Sequence, residues 1–426
     1  MDDPAVIRAV ALFGPVLLTV GVGVALRPNP GEHDRWVAAL LLASVWCGVT
    51  LYPLNLLAVR MDWWHFQAAG ATLNGVPVDL WLGWTVLWGT LPALLVPRVP
   101  ATLVVAAAAW VDVALMPQAA PVIALGPGWL LGEALGLLLC LVPATLLASW
   151  TRRDRRLAFR SWAQILLAGT VLVAVFLLGW EPAWPEPVPA VAVQLGLLGL
   201  LPGLAAAREF ARAGHGTPLP YDPPRRLVTT GPYAYVRNPM QLSMSLLFLV
   251  WAVTALDWRP LVGVVVIVGY AVGLASWHED QQLHRSFGPQ WRRYRAQVRP
   301  WVPRLRPTDR ISPAVVYVAG DCALCRGVGR WVTVRRPVGL RIEPAQAHPE
   351  ELRRLRYENA AGVTDVGVAA LGRTLEHLHL GWALVGWVLI LPGVSPAVQL
   401  ASDAFGAGPR LPADPPRHRG AEADPE

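Results

Sequence analysis

The chain has 426 residues, of which 54% are hydrophobic and only 15% are charged, and its mean hydropathy is +0.41. This composition excludes an ordinary soluble enzyme, an intrinsically disordered protein and a disulfide-rich scaffold, and it indicates a polytopic membrane protein. The formal net charge is +7, and every basic residue is an arginine. In a membrane protein such a charge is typical of basic cytoplasmic loops and not of nucleic-acid binding.

Apolar runs that are long enough to cross a bilayer, about 20 residues each, recur along the first two thirds of the chain. We predict an all-α membrane region of about nine transmembrane helices, at about 5–26, 36–58, 78–97, 101–117, 129–149, 162–180, 188–207, 240–257 and 259–276. Arginine-rich stretches follow at 151–160, 208–237 and 285–306. Because two helices separate each stretch from the next, all three lie on one side, which the positive-inside rule makes cytoplasmic. The lysine-free composition is typical of a GC-rich bacterial gene, so we expect a multi-pass bacterial plasma membrane protein.

The residues that are suited to ligand binding or catalysis concentrate between 220 and 307. Two predicted membrane helices there are joined by Asp257-Trp258-Arg259-Pro260, so they form a tight hairpin whose cytoplasmic ends are adjacent. One of those ends carries Arg237, and the other carries Glu279 and Asp280. A guanidinium and a carboxylate at one membrane–water boundary predict a pocket for a polar ligand that carries both charges.

The order of motifs in this segment resembles the isoprenylcysteine carboxyl methyltransferase family and its bacterial phospholipid-methyltransferase relatives. The matching elements, in chain order, are Gly231-Pro232-Tyr233, Arg237-Asn238-Pro239, Glu279-Asp280, Leu283, Phe287-Gly288, Tyr294 and Pro303. Because these elements match in order over about 80 residues, the resemblance is more specific than a single short motif.

The resemblance implies that S-adenosylmethionine (SAM) is the methyl donor and binds at the cytoplasmic face. By position, Leu227 and Val228 would line the cofactor site, and Tyr233 would pack on the cofactor. Arg237 would pair with its carboxylate, and Glu279 would accept hydrogen bonds from its polar groups. The turn around the cofactor would be formed by Arg237, Asn238, Pro239 and Met240. The donor is already activated and positioning supplies much of the barrier reduction, so we predict no dedicated nucleophile for methyl transfer.

Departures from the family pattern bear on the methyl acceptor. Asn238 stands where a His is usual, and Asp280 replaces a second Glu. Ala275 occupies the place where eukaryotic members carry an Arg for the substrate carboxylate. The resemblance therefore leaves the acceptor open, and we expect an isoprenoid or another lipid-like molecule that enters from the bilayer.

A mixed pattern after residue 307 predicts a soluble domain at about 311–412, and the Pro-rich tail 413–426 is expected to be disordered. A strand-like run there leads into Gly-Asp-Cys-x-x-Cys and then into a helix-like segment. A helix N-terminus favours the thiolate, so Cys322 is the candidate attacking thiol and Cys325 the resolving one.

This segment resembles the DCC family of thiol-disulfide oxidoreductase-like domains, because Asp321, Cys322 and Cys325 match its Asp-Cys-x-x-Cys signature. The resemblance implies an α/β thioredoxin-like fold and a thiol reductant as partner. An inert structural pair is one alternative. A zinc site is another, although a structural zinc ion usually takes four ligands and only one CxxC is present.

The first 150 residues resemble no family that the sequence identifies. The loop 60–79 contains Asp62-Trp63-Trp64-His65, for which an aromatic belt at the membrane interface is favoured over an outward-facing substrate site. Asp112 and Glu133 lie in or near apolar runs, and both a functional and a helix-boundary role stay open.

The sequence thus predicts four parts: membrane helices of unknown role at 1–155, a membrane methyltransferase domain at 156–310, a thioredoxin-like domain at 311–412 and the tail. The predicted function is SAM-dependent methylation of a lipophilic acceptor, with the bilayer as environment and no nucleic-acid partner. Two alternatives remain. One is a membrane thiol–disulfide oxidoreductase with a vestigial methyltransferase motif, and the other is a non-catalytic membrane scaffold.

Overall fold

A computed structural model describes residues 3–67, 70–179, 181–217, 224–309, 311–319 and 323–409. Within these ranges the side chains of 30, 172–179, 270, 274–282, 323–324 and 406–407 lie outside the description. The chain divides into two compact units. The N-terminal unit consists of Met1–Trp180 and Gly214–Arg225, and the C-terminal unit consists of Glu181–Ala213 and Arg226–Glu426.

The N-terminal unit is a bundle of apolar helices. In chain order these are α1 Pro4–Ala25, α2 His33–Arg60, α3 Val78–Thr85, α4 Leu91–Leu95, α5 Ala101–Leu115, α6 Trp129–Gly136, α7 Val142–Arg152 and α8 Leu157–Gly179. The π-helical turn Val86–Thr90 joins α3 to α4, and the π-helical turn Leu137–Leu141 joins α6 to α7. Each joined pair therefore forms one continuous helix that is long enough to cross a bilayer.

Short strands connect the helices of this bundle. β1 (Trp64–Phe66) pairs antiparallel with β4 (Ile123–Leu125), and β2 (Thr72–Leu73) pairs with β3 (Val76–Pro77). Asn74 and Gly75 join β2 to β3, and both have positive φ, as a tight two-residue hairpin turn requires.

The adjacent tryptophans of this connecting region are core residues. Trp63 and Trp64 are only 6% and 4% exposed. A Cβ at Gly128 would lie 2.6 Å from the Trp63 ring, and one at Gly132 would lie 2.4 Å from the Trp64 ring. The interpretation of this pair as a lipid-facing aromatic belt is therefore wrong, because glycines open the space in which both indoles are buried.

The C-terminal unit begins with three further apolar helices, α9 Val188–Glu209, α10 Pro239–Ala255 and α11 Arg259–Tyr270, and with the polar helix α12 Ser276–Gln297. α10 packs against both α9 and α11. A tight connection through Asp257 and Trp258 makes α10 and α11 the predicted hairpin, and Asp257 accepts hydrogen bonds from the backbone and side-chain nitrogens of Arg259. α12 is kinked at Gly288, whose φ of +42° is not helical.

Six helices in the described part of the chain are long and apolar enough to cross a membrane. They are Pro4–Ala25, His33–Arg60, Val78–Leu95, Ala101–Ala119, Trp129–Arg152 and Val188–Gly214. A multi-pass membrane protein is therefore confirmed in outline. The predicted runs at 162–180, 240–257 and 259–276 are helical as α8, α10 and α11, but they are not among these six. The count of nine spans stays a prediction.

The C-terminal region contains the strands of this unit. They are β5 Ala314–Val318, β6 Leu340–Pro344, β7 Arg356–Asn359 and β8 Thr364–Val366, in the spatial order β6-β5-β7-β8. β5 and β6 are parallel, and helix α13 (Ala323–Val334) forms the crossover between them. The pairs β5–β7 and β7–β8 are antiparallel. This mixed sheet bears out an α/β region after residue 311, whereas a thioredoxin-like fold stays a prediction.

Three helices complete this region: α14 Val368–Leu375, α15 Leu380–Leu389 and α16 Val394–Ser402. No Asp, Glu, Lys or Arg occurs between Leu380 and Ser402. The last two helices, bent by 90° relative to each other, are apolar enough together to count as a seventh candidate span. Such a pair is unexpected in the predicted soluble domain. The predicted tail 413–426 lies outside the described residues.

Candidate functional site

A buried turn stands at the centre of the segment that sequence analysis singled out. Residues Gly231–Ala234 form a single 3-10 turn, and the Tyr233 N–H donates to the backbone oxygen of Thr230 at 3.2 Å. Gly231 has a φ of +57°, in the left-handed region that favours glycine. Every residue from Thr230 to Val236 is buried, so its position is set by its neighbours and not by solvent.

The end of α12 and the chain that follows it hold this turn in place. The Tyr294 hydroxyl donates to the Tyr233 backbone oxygen at 2.9 Å. The backbone N–H of Arg304 donates to the Tyr235 oxygen at 3.0 Å, and that of Thr308 donates to the Ala234 oxygen at 2.9 Å. Three consecutive carbonyl groups of the turn are therefore satisfied by residues more than 60 positions away in sequence.

The same distant segment fixes the residues that follow the turn. The Arg237 N–H donates to the Arg299 oxygen at 2.9 Å, and the Asn238 N–H donates to the Pro300 oxygen at 3.2 Å. Pro239 then opens α10 at its first position, where a missing N–H costs nothing. The Arg237 guanidinium carbon lies 5.9 Å from the centre of the Trp291 ring, which is within range of a cation–π contact.

Three of the predicted cofactor-site residues share one apolar cluster. Val228 and Tyr233 are buried in it, and Met240 packs against them. The Tyr233 ring also packs on Phe210, with ring centres 5.4 Å apart. Leu227 does not join this cluster but packs on Trp291, Tyr294 and Val298.

Glu279 lies on α12, but its side chain is outside the described part of the chain. The predicted convergence of Glu279 with Arg237 therefore stays a prediction.

A group of four charged residues is buried beside the turn and was not predicted from the sequence. We call it the Arg373 cluster, and it consists of Arg373, Glu209, Asp365 and Glu376. Arg373 Nη1 lies 2.5 Å from Glu209 Oε2 and 3.2 Å from Glu376 Oε2, and Arg373 Nε lies 3.0 Å from Asp365 Oδ2. The side chains of Arg373 and Glu209 are each 1% exposed. Burial at this level is tolerated only when charges are paired and hydrogen-bonded.

The Arg373 cluster reaches the turn directly. The Thr230 hydroxyl donates a short hydrogen bond to Glu209 Oε1. A Cβ added to Gly231 would lie 3.4 Å from the Glu209 side chain. Glu209 therefore contacts Thr230, which precedes the turn, and Gly231, its first residue, while Arg373 binds the other carboxylate oxygen of Glu209.

The pKa is shifted in opposite directions in two carboxyl groups of the cluster, Asp365 and Glu376. Burial raises the pKa of Asp365, but the charges of Arg373 and Arg212 outweigh this effect and hold it below its ordinary value. Burial raises the pKa of Glu376 to about 7, and Arg373 offsets only part of this shift. Glu376 is therefore the carboxyl of this cluster that gains a proton most readily near neutral pH.

Nothing in the local sequence marks these four residues as a group. Arg373 and Glu376 have helical i, i+3 spacing, and Glu209 ends an apolar helix, which at most flags an unusual boundary carboxylate. The contact between Arg373 and Glu209 joins positions 164 residues apart, which only the tertiary fold brings together.

The cysteine pair of the CxxC motif is described only in part. Cys325 is the third residue of α13 and is half-buried, whereas Cys322 lies outside the described residues. β5 ends at Val318 and α13 begins at Ala323, so of the two cysteines the structure describes Cys325, in the first turn of this helix. The role of the pair stays a prediction.

The two intramembrane carboxyl groups of the N-terminal unit are both buried. Asp112 and Glu133 are 3% and 5% exposed. The Trp84 indole N–H donates to Asp112 Oδ1 at 2.8 Å. Both carboxyl groups therefore lie in the interior of the bundle, and the functional and the helix-boundary role both stay open.

Comparisons with known proteins bear on the C-terminal unit. No curated protein and no solved structure shows significant similarity to the chain. Residues 192–290 match the family model described as phospholipid methyltransferase. The matched part contains Glu209, the turn and the α10–α11 hairpin, but it ends before the mixed sheet and the CxxC motif. This match indicates that the protein is a membrane methyltransferase.

Proposed function

We propose that the protein transfers a methyl group from SAM to a lipophilic acceptor, with the donor bound beside the Gly231–Ala234 turn. The observation that carries this proposal is the match of residues 192–290 to phospholipid methyltransferase, which includes this turn. SAM would supply an activated methyl group on a positively charged sulfur. The protein then has to bind, orient and shield the reactants, because positioning alone contributes on the order of 7–11 kcal/mol.

The residues around the turn suit such a donor. Val228, Tyr233 and Met240 supply an apolar, aromatic surface of the kind on which a purine ring packs. Arg237 carries a guanidinium that pairs well with a carboxylate, and it follows the turn directly. Leu227, Asn238 and Pro239 complete the segment that the family resemblance assigns to the cofactor, and Glu279 is its proposed hydrogen-bond acceptor.

A lipophilic acceptor is favoured by the surfaces of the matched helices. Leu195 and Leu197 on α9 are 53% and 60% exposed, and Val265 on α11 is 69% exposed. In a helix of a membrane protein such residues face lipid tails, so an acceptor dissolved in the bilayer has direct access to this unit. An isoprenoid or a phospholipid has the required chemistry.

Calorimetry of SAM binding to the purified full chain in detergent tests the proposal. We expect micromolar binding to the wild type and at least tenfold weaker binding in Arg237→Ala and in Glu279→Ala. Arg259→Ala is the matched control, because Arg259 is exposed, pairs with Asp257 and lies at the opposite end of the α10 helix. Well-folded wild-type protein that does not bind SAM would refute the proposal.

A second activity, thiol–disulfide exchange, is favoured by one observation. β5 ends at Val318 and α13 begins at Ala323, so Cys325 lies in the first turn of this helix and Cys322 is the residue before the helix in sequence. A helix N-terminus stabilises a thiolate at that point. We infer that the Cys322 thiolate attacks a disulfide of a partner molecule and that Cys325 then resolves the mixed disulfide. This exchange leaves Cys322 and Cys325 joined as a disulfide and the partner reduced to two thiols.

Redox titration of the full chain with a glutathione buffer tests this second activity. A two-electron transition that disappears in Cys322→Ser and in Cys325→Ser is expected. Cys47→Ser is the control, because Cys47 is buried among the helices of the N-terminal unit. A transition that persists in both CxxC variants would exclude the assignment.

A further inference from the structure

The Arg373 cluster joins two parts of the chain that sequence comparison treats as separate. Glu209 belongs to the segment that matches phospholipid methyltransferase, whereas Arg373, Asp365 and Glu376 lie beyond its end at residue 290. All four belong to one compact unit. The C-terminal region therefore supplies the buried partner of a carboxylate within the matched segment.

The pairing of Arg373 with Glu209 is structurally demanding. Both side chains are 1% exposed, and the closest contact is 2.5 Å. Asp365 is shared between Arg373 and Arg212, which approaches it at 2.7 Å. Without Arg373, Glu209 would be a buried carboxylate whose one remaining hydrogen bond among the described residues comes from Thr230.

Glu209 also contacts the start of the Gly231–Ala234 turn. It accepts the Thr230 hydroxyl and lies in contact range of Gly231. Both residues precede Tyr233, whose N–H bonds back to Thr230. Any rotation of the Glu209 carboxylate thus moves the residue from which the turn begins.

The C-terminal region also holds the end of the turn, independently of Arg373. The Tyr235 hydroxyl donates to the backbone oxygen of Glu376 at 3.0 Å. Its ring meets the Trp387 ring edge-on, with centres 5.9 Å apart. Both ends of the turn are therefore attached to α14 or α15.

We propose that Arg373 is a positioning residue for SAM binding, which acts through Glu209 on the Thr230–Tyr233 turn, and that the C-terminal region is a working part of the methyltransferase. This proposal rests on the proposed function. It assigns to the region after residue 311 a role that does not depend on its cysteines. A direct contact between Arg373 and SAM is not part of it.

The test compares Arg373→Met with wild type and with Arg354→Met, in the full chain in detergent. Arg354→Met is the matched control, because it breaks an ion pair with Asp403 elsewhere in the same region. Hydrogen exchange of peptides that cover residues 228–238 reports the turn without any ligand. We expect exchange to accelerate on the order of tenfold in Arg373→Met and to stay unchanged in the control.

SAM binding then measures the consequence for the site. We expect the Kd of Arg373→Met to rise on the order of tenfold. The double variant Glu209→Gln/Arg373→Met removes one charge of each sign, keeps an acceptor for Thr230, and should recover most of the affinity. This rescue would show that the effect of Arg373→Met comes from the charge left unpaired on Glu209. The thermal unfolding midpoint, measured beside the exchange of residues 228–238, separates positioning from folding, because a positioning role predicts faster exchange and weaker SAM binding at temperatures well below that midpoint.

The outcomes distinguish this proposal from the proposed function. If the wild type binds SAM and Arg373→Met binds it equally well, or if its turn exchanges like that of the wild type, the positioning role is wrong. If folded wild type does not bind SAM, the proposed function fails and this proposal fails with it. If Arg373→Met does not fold, Thr230→Val removes the hydrogen bond between Glu209 and the turn instead, and unchanged exchange and Kd in that variant would overturn the proposal.

Discussion

The Tyr294 hydroxyl donates a hydrogen bond of 2.9 Å to the backbone oxygen of Tyr233. This bond joins the second half of α12 to the turn that begins the α10–α11 hairpin. Tyr294 is 3% exposed, and burial raises its pKa, so the hydroxyl keeps its proton and remains a donor at neutral pH. Helix α12 thus stabilises the Gly231–Ala234 turn, which precedes it by more than 40 residues in the sequence.

Removal of this donor should destabilise the C-terminal unit. In Tyr294→Phe the buried Tyr233 oxygen loses the hydrogen bond from Tyr294, which costs about 0.5–1.5 kcal/mol. We expect a lower midpoint of thermal unfolding in detergent and a higher Kd for SAM. Tyr317→Phe is a suitable control, because the Tyr317 hydroxyl makes no hydrogen bond among the described residues. Equal effects of the two substitutions would contradict the role of the Tyr294 bond.

Gly231 should not tolerate a side chain. Its φ of +57° makes alanine costly by about 1–2 kcal/mol, and the added Cβ would lie 3.4 Å from Glu209. We therefore expect Gly231→Ala to weaken SAM binding as well as thermal stability. Gly269→Ala is the control, since Gly269 lies within α11 and has open space around its Cβ position. A Gly231→Ala variant with wild-type affinity would show that the turn does not need its left-handed residue.

Stability of the Arg373 cluster should depend on pH through Glu376. Its pKa is about 7 in the folded protein against an ordinary value of 4.5, so the folded state holds a proton that the unfolded state has lost. This contribution is fully present below pH 4.5 and is lost as pH rises through about 7. The pKa of His377 is lowered by burial to about 4 from 6.5, so its contribution has the opposite sign and is lost as pH falls.

Glu376→Gln isolates the first of these two effects. The stability of the wild type relative to this variant should fall as pH rises from about 5 to about 8, because only the wild type loses a proton there. Thermal unfolding in detergent at several pH values measures it. A stability difference that does not change with pH would mean that Glu376 stays ionised in the folded protein.

In the N-terminal unit, Gly132 should be as restricted as Gly231, for a different reason. A Cβ at Gly132 would lie 2.4 Å from the Trp64 ring and 2.9 Å from the Trp63 ring. Overpacking of this kind usually costs about 1–3 kcal/mol, so Gly132→Ala should lower the thermal unfolding midpoint. Gly21→Ala has no atom within 4 Å of its Cβ and should be close to neutral. Similar midpoints for both variants would show that the indoles repack freely.

Much of the helical architecture is predictable from the sequence because it depends on local apolar runs. α2 and α9 coincide with predicted spans to within a few residues. The turn at Gly231 and the helix start at Pro239 are likewise local, since glycine and proline restrict the backbone at their own positions. The sequence also places β5 before the CxxC helix, where β-branched residues precede the motif.

The interactions that stabilise the candidate site are not local and were missed for that reason. Arg373 contacts Glu209 across 164 positions, and no periodicity or spacing rule relates the two. Trp63 and Trp64 were interpreted as interfacial residues because tryptophan is common there, but Gly128 and Gly132 open an interior space for them. In both cases the outcome depends on which surface the fold brings opposite the residue.

The lipid-directed methyltransferase activity can be measured in proteoliposomes that contain the full chain, as transfer of a tritiated methyl group from SAM into lipid-extractable material. We expect incorporation above that of liposomes without protein, reduced at least tenfold in Arg237→Ala and unchanged in Arg259→Ala. The acceptor can then be identified from the labelled product by mass spectrometry. Folded protein that binds SAM but transfers no label to polar lipids or to isoprenoids would contradict a lipid-directed methyltransferase.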